Sequence, residues 1–255
     1  MQNLDAIFFD VGATLRYVVE DKEFAAAAER ELMELVGSTE EHDAFFEKLN
    51  KNWKAYRKWA KTELLDVSEM ELWLQYLLPD YPADKVAPNA ARLTRLWRDH
   101  DGRRVVHEGT LETLHELQRR GYKLGIIANT ITETEIPDWM CRDHVADCFK
   151  TVILSSKVRL RKPDPAIYLL GARCIGSAPE ACAYVGDNPV RDVEGAKAAN
   201  FGAMVLFEDA GTADREGKAP TVLPVYPIKS IPELLDLFPP RTGGGRDERD
   251  QGCIF

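Results

Sequence analysis

Cysteine is scarce and unpatterned in this chain: five occur among 255 residues, Cys141, Cys148, Cys174, Cys182 and Cys253. The odd number argues against a disulfide framework, and no two stand at the close spacing of a zinc-binding pair. Basic charge is also in deficit, with 33 Lys and Arg against 42 Asp and Glu for a formal charge of -9, and no dense basic stripe interrupts that balance. Such a distribution argues against a nucleic-acid surface and directs attention to small soluble ligands. Long hydrophobic runs are missing as well. No stretch reaches the roughly 20 apolar residues that span a bilayer, and Met1-Gln2-Asn3-Leu4-Asp5 carries neither the basic segment nor the apolar h-region of a secretion signal. The ending Cys253-Ile254-Phe255 puts Gly252, not cysteine, fourth from the end, so it is no prenylation box. The expectation is a cytoplasmic protein with reduced thiols and no nucleic-acid or membrane partner. Its oligomeric state is left unspecified.

What is present is a repeating alternation. Residues are 45% hydrophobic, enough for a compact core and a smaller appended unit. Ala6-Ile7-Phe8-Phe9 ends abruptly in Asp10-Val11-Gly12, as a buried parallel strand runs into a loop. Further apolar runs recur at 124–128, 151–154, 181–185 and 203–207, with helical patterns between most of them. That order predicts an α/β fold, a doubly wound parallel sheet with helices on both faces. Thr110 is placed to cap a helix bearing Leu111, Leu114 and Leu117 and stopped by Gly121; Asp164-Pro165 opens another, bearing Ile167, Leu170 and Cys174 and ended by Gly176. Residues 16–106 read differently: helical periodicity, few glycines and four of the five tryptophans, Trp53, Trp59, Trp73 and Trp97, describe an all-helical insertion. The core is therefore expected over 1–15 and 107–238. Within it, 208–230 reads as a surface connection before a helix over 232–238, and 239–255 as a disordered tail.

Four separated elements carry chemical groups: Phe9-Asp10-Val11-Gly12-Ala13-Thr14-Leu15; Ile126-Ile127-Ala128-Asn129-Thr130; Lys162-Pro163-Asp164-Pro165; and Gly186-Asp187-Asn188-Pro189-Val190-Arg191-Asp192. Each follows or flanks an expected strand end, so a doubly wound sheet can gather them in one crevice. In order, spacing and context they resemble the four motifs of the haloacid dehalogenase (HAD) superfamily, over roughly residues 5 to 238. The resemblance implies a Rossmann-like core whose helical insertion caps the substrate. It implies Asp10 as a nucleophile that becomes an aspartyl phosphate, and Lys162 as the cation that holds nucleophile and phosphate. It implies Mg²⁺ on the carboxylates of Asp10 and Asp187 and the main-chain carbonyl of Gly12, substrate contacts from Asn129, Thr130 and Lys162, and support from Thr14 and Asp192. A hard cation suits this set because a carboxylate otherwise repels the phosphate it attacks.

Two positions depart from the pattern. Gly12 stands where phosphatases of the family carry an aspartate that protonates the leaving group and activates water, a function worth about 10²–10⁴ in rate. Ala128 stands where a Ser or Thr hydroxyl meets the phosphate. The expected function is a Mg²⁺-dependent phosphohydrolase acting on a small phosphorylated metabolite, slowed by these losses. Two alternatives are a HAD-fold binding or regulatory protein without useful turnover, and a phosphonate hydrolase using Lys54, Lys58 or Lys61 as an imine-forming lysine.

Overall fold

The apolar runs become strands, and the polar residues that follow them become the loops at one end of a sheet. The computed structural model describes residues 3–208 and 225–241. Its strands are β1 (Ala6–Phe9), β2 (Arg16–Val19), β3 (Arg103–Val106), β4 (Lys123–Ala128), β5 (Phe149–Leu154), β6 (Cys182–Gly186), β7 (Ala203–Phe207) and β8 (Val225–Ile228). Six form one sheet in the order β5-β4-β1-β6-β7-β8, every neighbouring pair parallel. From β1 the chain builds outward first to β4 and β5, then on the other side to β6, β7 and β8. The order therefore reverses between β1 and β6, which makes the carboxyl ends of those strands the natural ligand crevice.

Burial explains the apolar character of β1, whose four residues are all fully enclosed. Ile7 and Phe9 face a core shared with Leu114, Leu117 and Trp139. Ala6 and Phe8 face the opposite one, with Ile167, Tyr168 and Phe201. Helices thus cover both faces, as a strand without polar alternation requires. Asp164 caps the helix Pro165–Ile175 by accepting from the Ala166 N–H at 2.8 Å, and Gly176 closes it with φ of 68°. The helix Thr110–Arg119 begins otherwise than expected: Gly109, with φ of 74°, is its cap residue, and Thr110 is its first helical residue.

The insertion contains helices Lys22–Val36, His42–Glu63 and Ala90–Asp99, with shorter turns between them. It has its own apolar interior, including Leu32, Phe45, Leu49, Tyr56, Trp73 and Trp97. Its two ends are not helical. β2 and β3 pair antiparallel, Arg16 opposite Val106 and Val19 opposite Arg103, as a ribbon through which the chain leaves and re-enters the core. Their β-branched residues favour this pairing, but four residues are too few to show a period. Two further readings change. Val225–Ile228, expected in a surface connection, is the edge strand β8, where Pro227 is tolerated because its missing N–H can face outward. Pro239 and Arg241, expected in a disordered tail, are docked: the Pro239 carbonyl accepts from Tyr122 and the Arg241 N–H donates to the Arg120 carbonyl. The rest of that connection, 209–224, and of that tail, 242–255, lie outside the described residues.

Candidate active site

Phe9 of β1 is level with Val185 of β6, so the next residues of the two strands bring Asp10 and Asp187 together at the switch point. Both carboxylates are buried, as are Thr14, Lys162 and Asp192. One oxygen each of Asp10, Asp187 and Asp192 lies within 4.8 Å of the others. Such a cluster of acids needs cations, and two side chains supply them. Lys162 places Nζ 3.1 Å from Asp10 Oδ1 and 2.7 Å from Asp192 Oδ1. Arg191 places Nη2 3.2 Å from both Asp10 Oδ2 and Asp187 Oδ1.

Each member is fixed by its local chain. Asp10 Oδ1 accepts from the Val11 N–H at 2.8 Å, and the Thr14 hydroxyl reaches Asp187 Oδ1 at 3.4 Å. Lys162 also donates to the Tyr184 hydroxyl at 2.7 Å, and that hydroxyl passes its own proton bond to the Ile127 carbonyl. Asp192 gives Oδ1 to Lys162 and Oδ2 to the Asn188 N–H at 3.0 Å, so both its oxygens are committed and its place is behind the lysine. Gly186 makes that approach possible, since a Cβ there would lie 2.5 Å from the Asp192 side chain.

The electrostatics follow from crowding. Burial, reinforced by the carboxylates of Asp192 and Asp10, pushes Asp187 up to about 7. Asp192 experiences burial in the same sense, but Lys162 and Arg191 outweigh it and hold its carboxyl below the usual range. Asp10 and Asp187 are therefore the pair that gains most from a further positive charge. Their oxygens, with the adjacent main chain at Gly12, fit the oxygen-rich, partly hydrated site that Mg²⁺ prefers.

The second motif lies at the cavities, with Asn129 and Thr130 among the lining residues, and it also holds neighbouring chain. Asn129 donates from Nδ2 to the Lys162 carbonyl and accepts the Lys162 N–H at Oδ1, both at 2.9 Å, so its amide clamps the lysine segment. Thr130 turns its hydroxyl to the Thr132 N–H at 3.2 Å. Ala128 is a buried methyl. Gly12 is exposed, and a Cβ built on it meets nothing within 4 Å.

Above these groups lies a cavity of about 650 Å³ lined by Asp10, Gly12 and Asp187 from the core and by Arg57, Arg98 and Arg104 from the insertion and β3. A second, of about 300 Å³, shares Arg57, Arg98, Asn129 and Arg191 and adds Trp53 and Trp97. Two of the insertion's tryptophans therefore face a cleft. Lys54, Lys58 and Lys61 are exposed and line neither cavity, so none of the three lysines named for the imine reading stands at the site. The residues missed by sequence reasoning are Arg191, Tyr184 and the cationic lining. Arg191 alone had a visible signal, an arginine between two motif aspartates.

Comparison with known proteins agrees with the fold. The description "haloacid dehalogenase-like hydrolase" matches residues 4–200. The chain belongs to that family of hydrolases. It is 31% identical to a phosphoserine phosphatase of Thermus thermophilus over 46% of each chain, so it spans about half the length of that relative. It is 26% identical to a glyceraldehyde 3-phosphate phosphatase of Methanopyrus kandleri, over 68% of this chain and 81% of the relative. Among solved structures, a 2-haloacid dehalogenase from Pseudomonas syringae pv. Tomato superposes with a TM-score of 0.64 at 20% identity, covering 92% of this chain and 97% of the other. That likeness concerns the fold.

Proposed function

We propose that this hydrolase is a Mg²⁺-dependent phosphatase of a small phosphorylated metabolite, with Asp10 as its nucleophile. The observation that carries the reading is the convergence of Asp10, Asp187 and the Lys162–Asp192 pair at the switch point. One carboxylate oxygen of Asp10 attacks phosphorus as the ester oxygen leaves and takes a proton from water, and a second water then hydrolyses the aspartyl phosphate, which divides one displacement into two. Lys162, with Nζ 3.1 Å from Asp10 Oδ1, holds the nucleophile in place and presents positive charge to the phosphoryl oxygens. When bound between Asp10 and Asp187, Mg²⁺ would neutralise the repulsion between carboxylate and phosphate. The arginines of the cavity suit an anionic ester, and the tryptophans of the adjoining cleft suit its organic part. Phosphatase names among the relatives support the same reaction class. Among the described residues no disulfide joins Cys141, Cys148, Cys174 and Cys182, which suits the reducing, cytoplasmic setting proposed for the chain, and no helix is long and apolar enough to cross a membrane.

The test is phosphate release from phosphoserine, glyceraldehyde 3-phosphate and other small monoesters, with and without Mg²⁺, by the native chain and by Asp10→Asn. Release that requires Mg²⁺ and vanishes in the variant is expected. Turnover unchanged by the substitution would sink the mechanism. Gly12 and Ala128 favour one rival, a metal-dependent binder of phosphate esters without turnover. Calorimetry showing tight ester binding, with no product after long incubation, would decide for that rival.

A further inference from the structure

Arg191 stands on the ground that the proposed metal would take. Its Nη2 is 3.2 Å from Asp10 Oδ2 and 3.2 Å from Asp187 Oδ1, while Asp10 Oδ1 is occupied by the Val11 N–H and Lys162. A divalent ion shared by the same two oxygens would sit about 2.1 Å from each, in direct like-charge contact with the guanidinium. The two cations exclude one another. Arg191 Nε also lies 3.5 Å from Asp192 Oδ1, so its removal would take one of the two cations from the three clustered acids.

The chain also provides a way out for this side chain. The Arg191 backbone is pinned, its N–H donating to Asn188 Oδ1 at 2.7 Å and its carbonyl accepting from the Tyr168 hydroxyl. The guanidinium arm is not enclosed to the same degree: it is 29% exposed and lines both cavities. With the backbone held and the arm at the edge of both cavities, the route that leads from the acids into the cleft is a rotation of the side chain.

We propose that Arg191 is a resident counter-cation of the Asp10–Asp187 pair and is exchanged for the divalent metal, its guanidinium swinging into the substrate cavity as the ion enters. This rests on the reading that the pair holds a divalent cation. In the metal-free protein Arg191 keeps the acids together, and metal affinity is lowered by the contacts it must break. Arg191→Met, similar in length but without charge, should bind Mg²⁺ about tenfold more tightly than the native chain, the equivalent of one charge-assisted hydrogen bond.

The experiment is calorimetric titration of MgCl₂ into the full native chain, Arg191→Met and Arg191→Lys, with the lysine variant expected to lie between the other two. A second measurement needs no altered active protein: the Arg191 Nε–H resonance of the native chain, assigned by its loss in the methionine variant, should shift and exchange faster with solvent as Mg²⁺ saturates. Equal or weaker Mg²⁺ binding by Arg191→Met, or an Arg191 resonance unmoved at saturation, overturns the exchange while leaving the metal reading standing. Absence of Mg²⁺ binding by all three proteins overturns both.

Discussion

At Gly12 the loop after β1 has room for a side chain it does not carry. A Cβ there meets no atom within 4 Å, and the backbone is outside the left-handed region that would resist one. Packing therefore does not demand glycine at this position. Gly12→Asp should fold as the native chain does and raise phosphate release by about 10²–10⁴, the range a positioned acid/base contributes. A steady-state assay beside a melting curve checks it: an intact fold with no gain in rate would show that proton transfer does not limit turnover. Residue by residue, what was legible in sequence is the gathering of Asp10, Lys162 and Asp187 in one crevice, since each stands at or near an expected strand end. It was not legible where a side chain can turn more than one way. Asn129 was read toward substrate; it lines both cavities and its amide also clamps the Lys162 backbone, a contact that sequence does not announce. Arg191 carried no role in sequence and instead bridges two acids.

Between elements, the principal electrostatic joint is Glu135. It starts the core helix Glu135–Arg142, and its oxygens meet Arg16 of β2 at 2.6 Å and Arg98 of the insertion helix Ala90–Asp99 at 2.7 Å. Burial alone would raise this carboxyl, but Arg98, Arg16 and Arg104 outweigh it and hold it at about 2. Since the folded value lies below the ordinary one, the joint stabilises the fold fully above about pH 4.5. That contribution is lost as pH falls toward 2. Glu135→Gln leaves buried guanidiniums without their shared counter-charge and should cost about 3–5 kcal/mol. Urea denaturation at pH 7 measures this, and a loss below about 1 kcal/mol would count against the joint. The same variant should show a flatter acid limb between pH 4.5 and 2. Elements of this kind were readable in sequence when they were long or wholly apolar, as β1 and the helix from Pro165 were. The short ribbon was not, because Tyr17, Val18 and Val19 are exposed and offer no buried face to recognise. Nor was β8, whose Pro227 resembles a loop until the sheet edge is in view.

For the molecule as a whole, the proposed metal site at the switch point would tie stability to Mg²⁺. A ligand that binds only the folded state at about 100 times its dissociation constant adds about 2.7 kcal/mol, and a chain of this size gains about 2–4 °C per kcal/mol. Mg²⁺ at that excess should raise the melting temperature by about 5–10 °C, and Asp187→Asn should abolish the rise. An equal rise in the variant would place the ion elsewhere. The ribbon has a consequence for modularity. Arg16 lies opposite Val106 and Val19 opposite Arg103, so the insertion departs and returns through adjacent strands. A hairpin turn from Val19 to Arg103 would close the core without rerouting a single strand of the main sheet. Conversely, a foreign helical unit spliced between those residues would hang from the same ribbon above Asp10. On the proposed function, exchanging the insertion should change selectivity among phosphate esters while Asp10 and Asp187 stay where β1 and β6 put them.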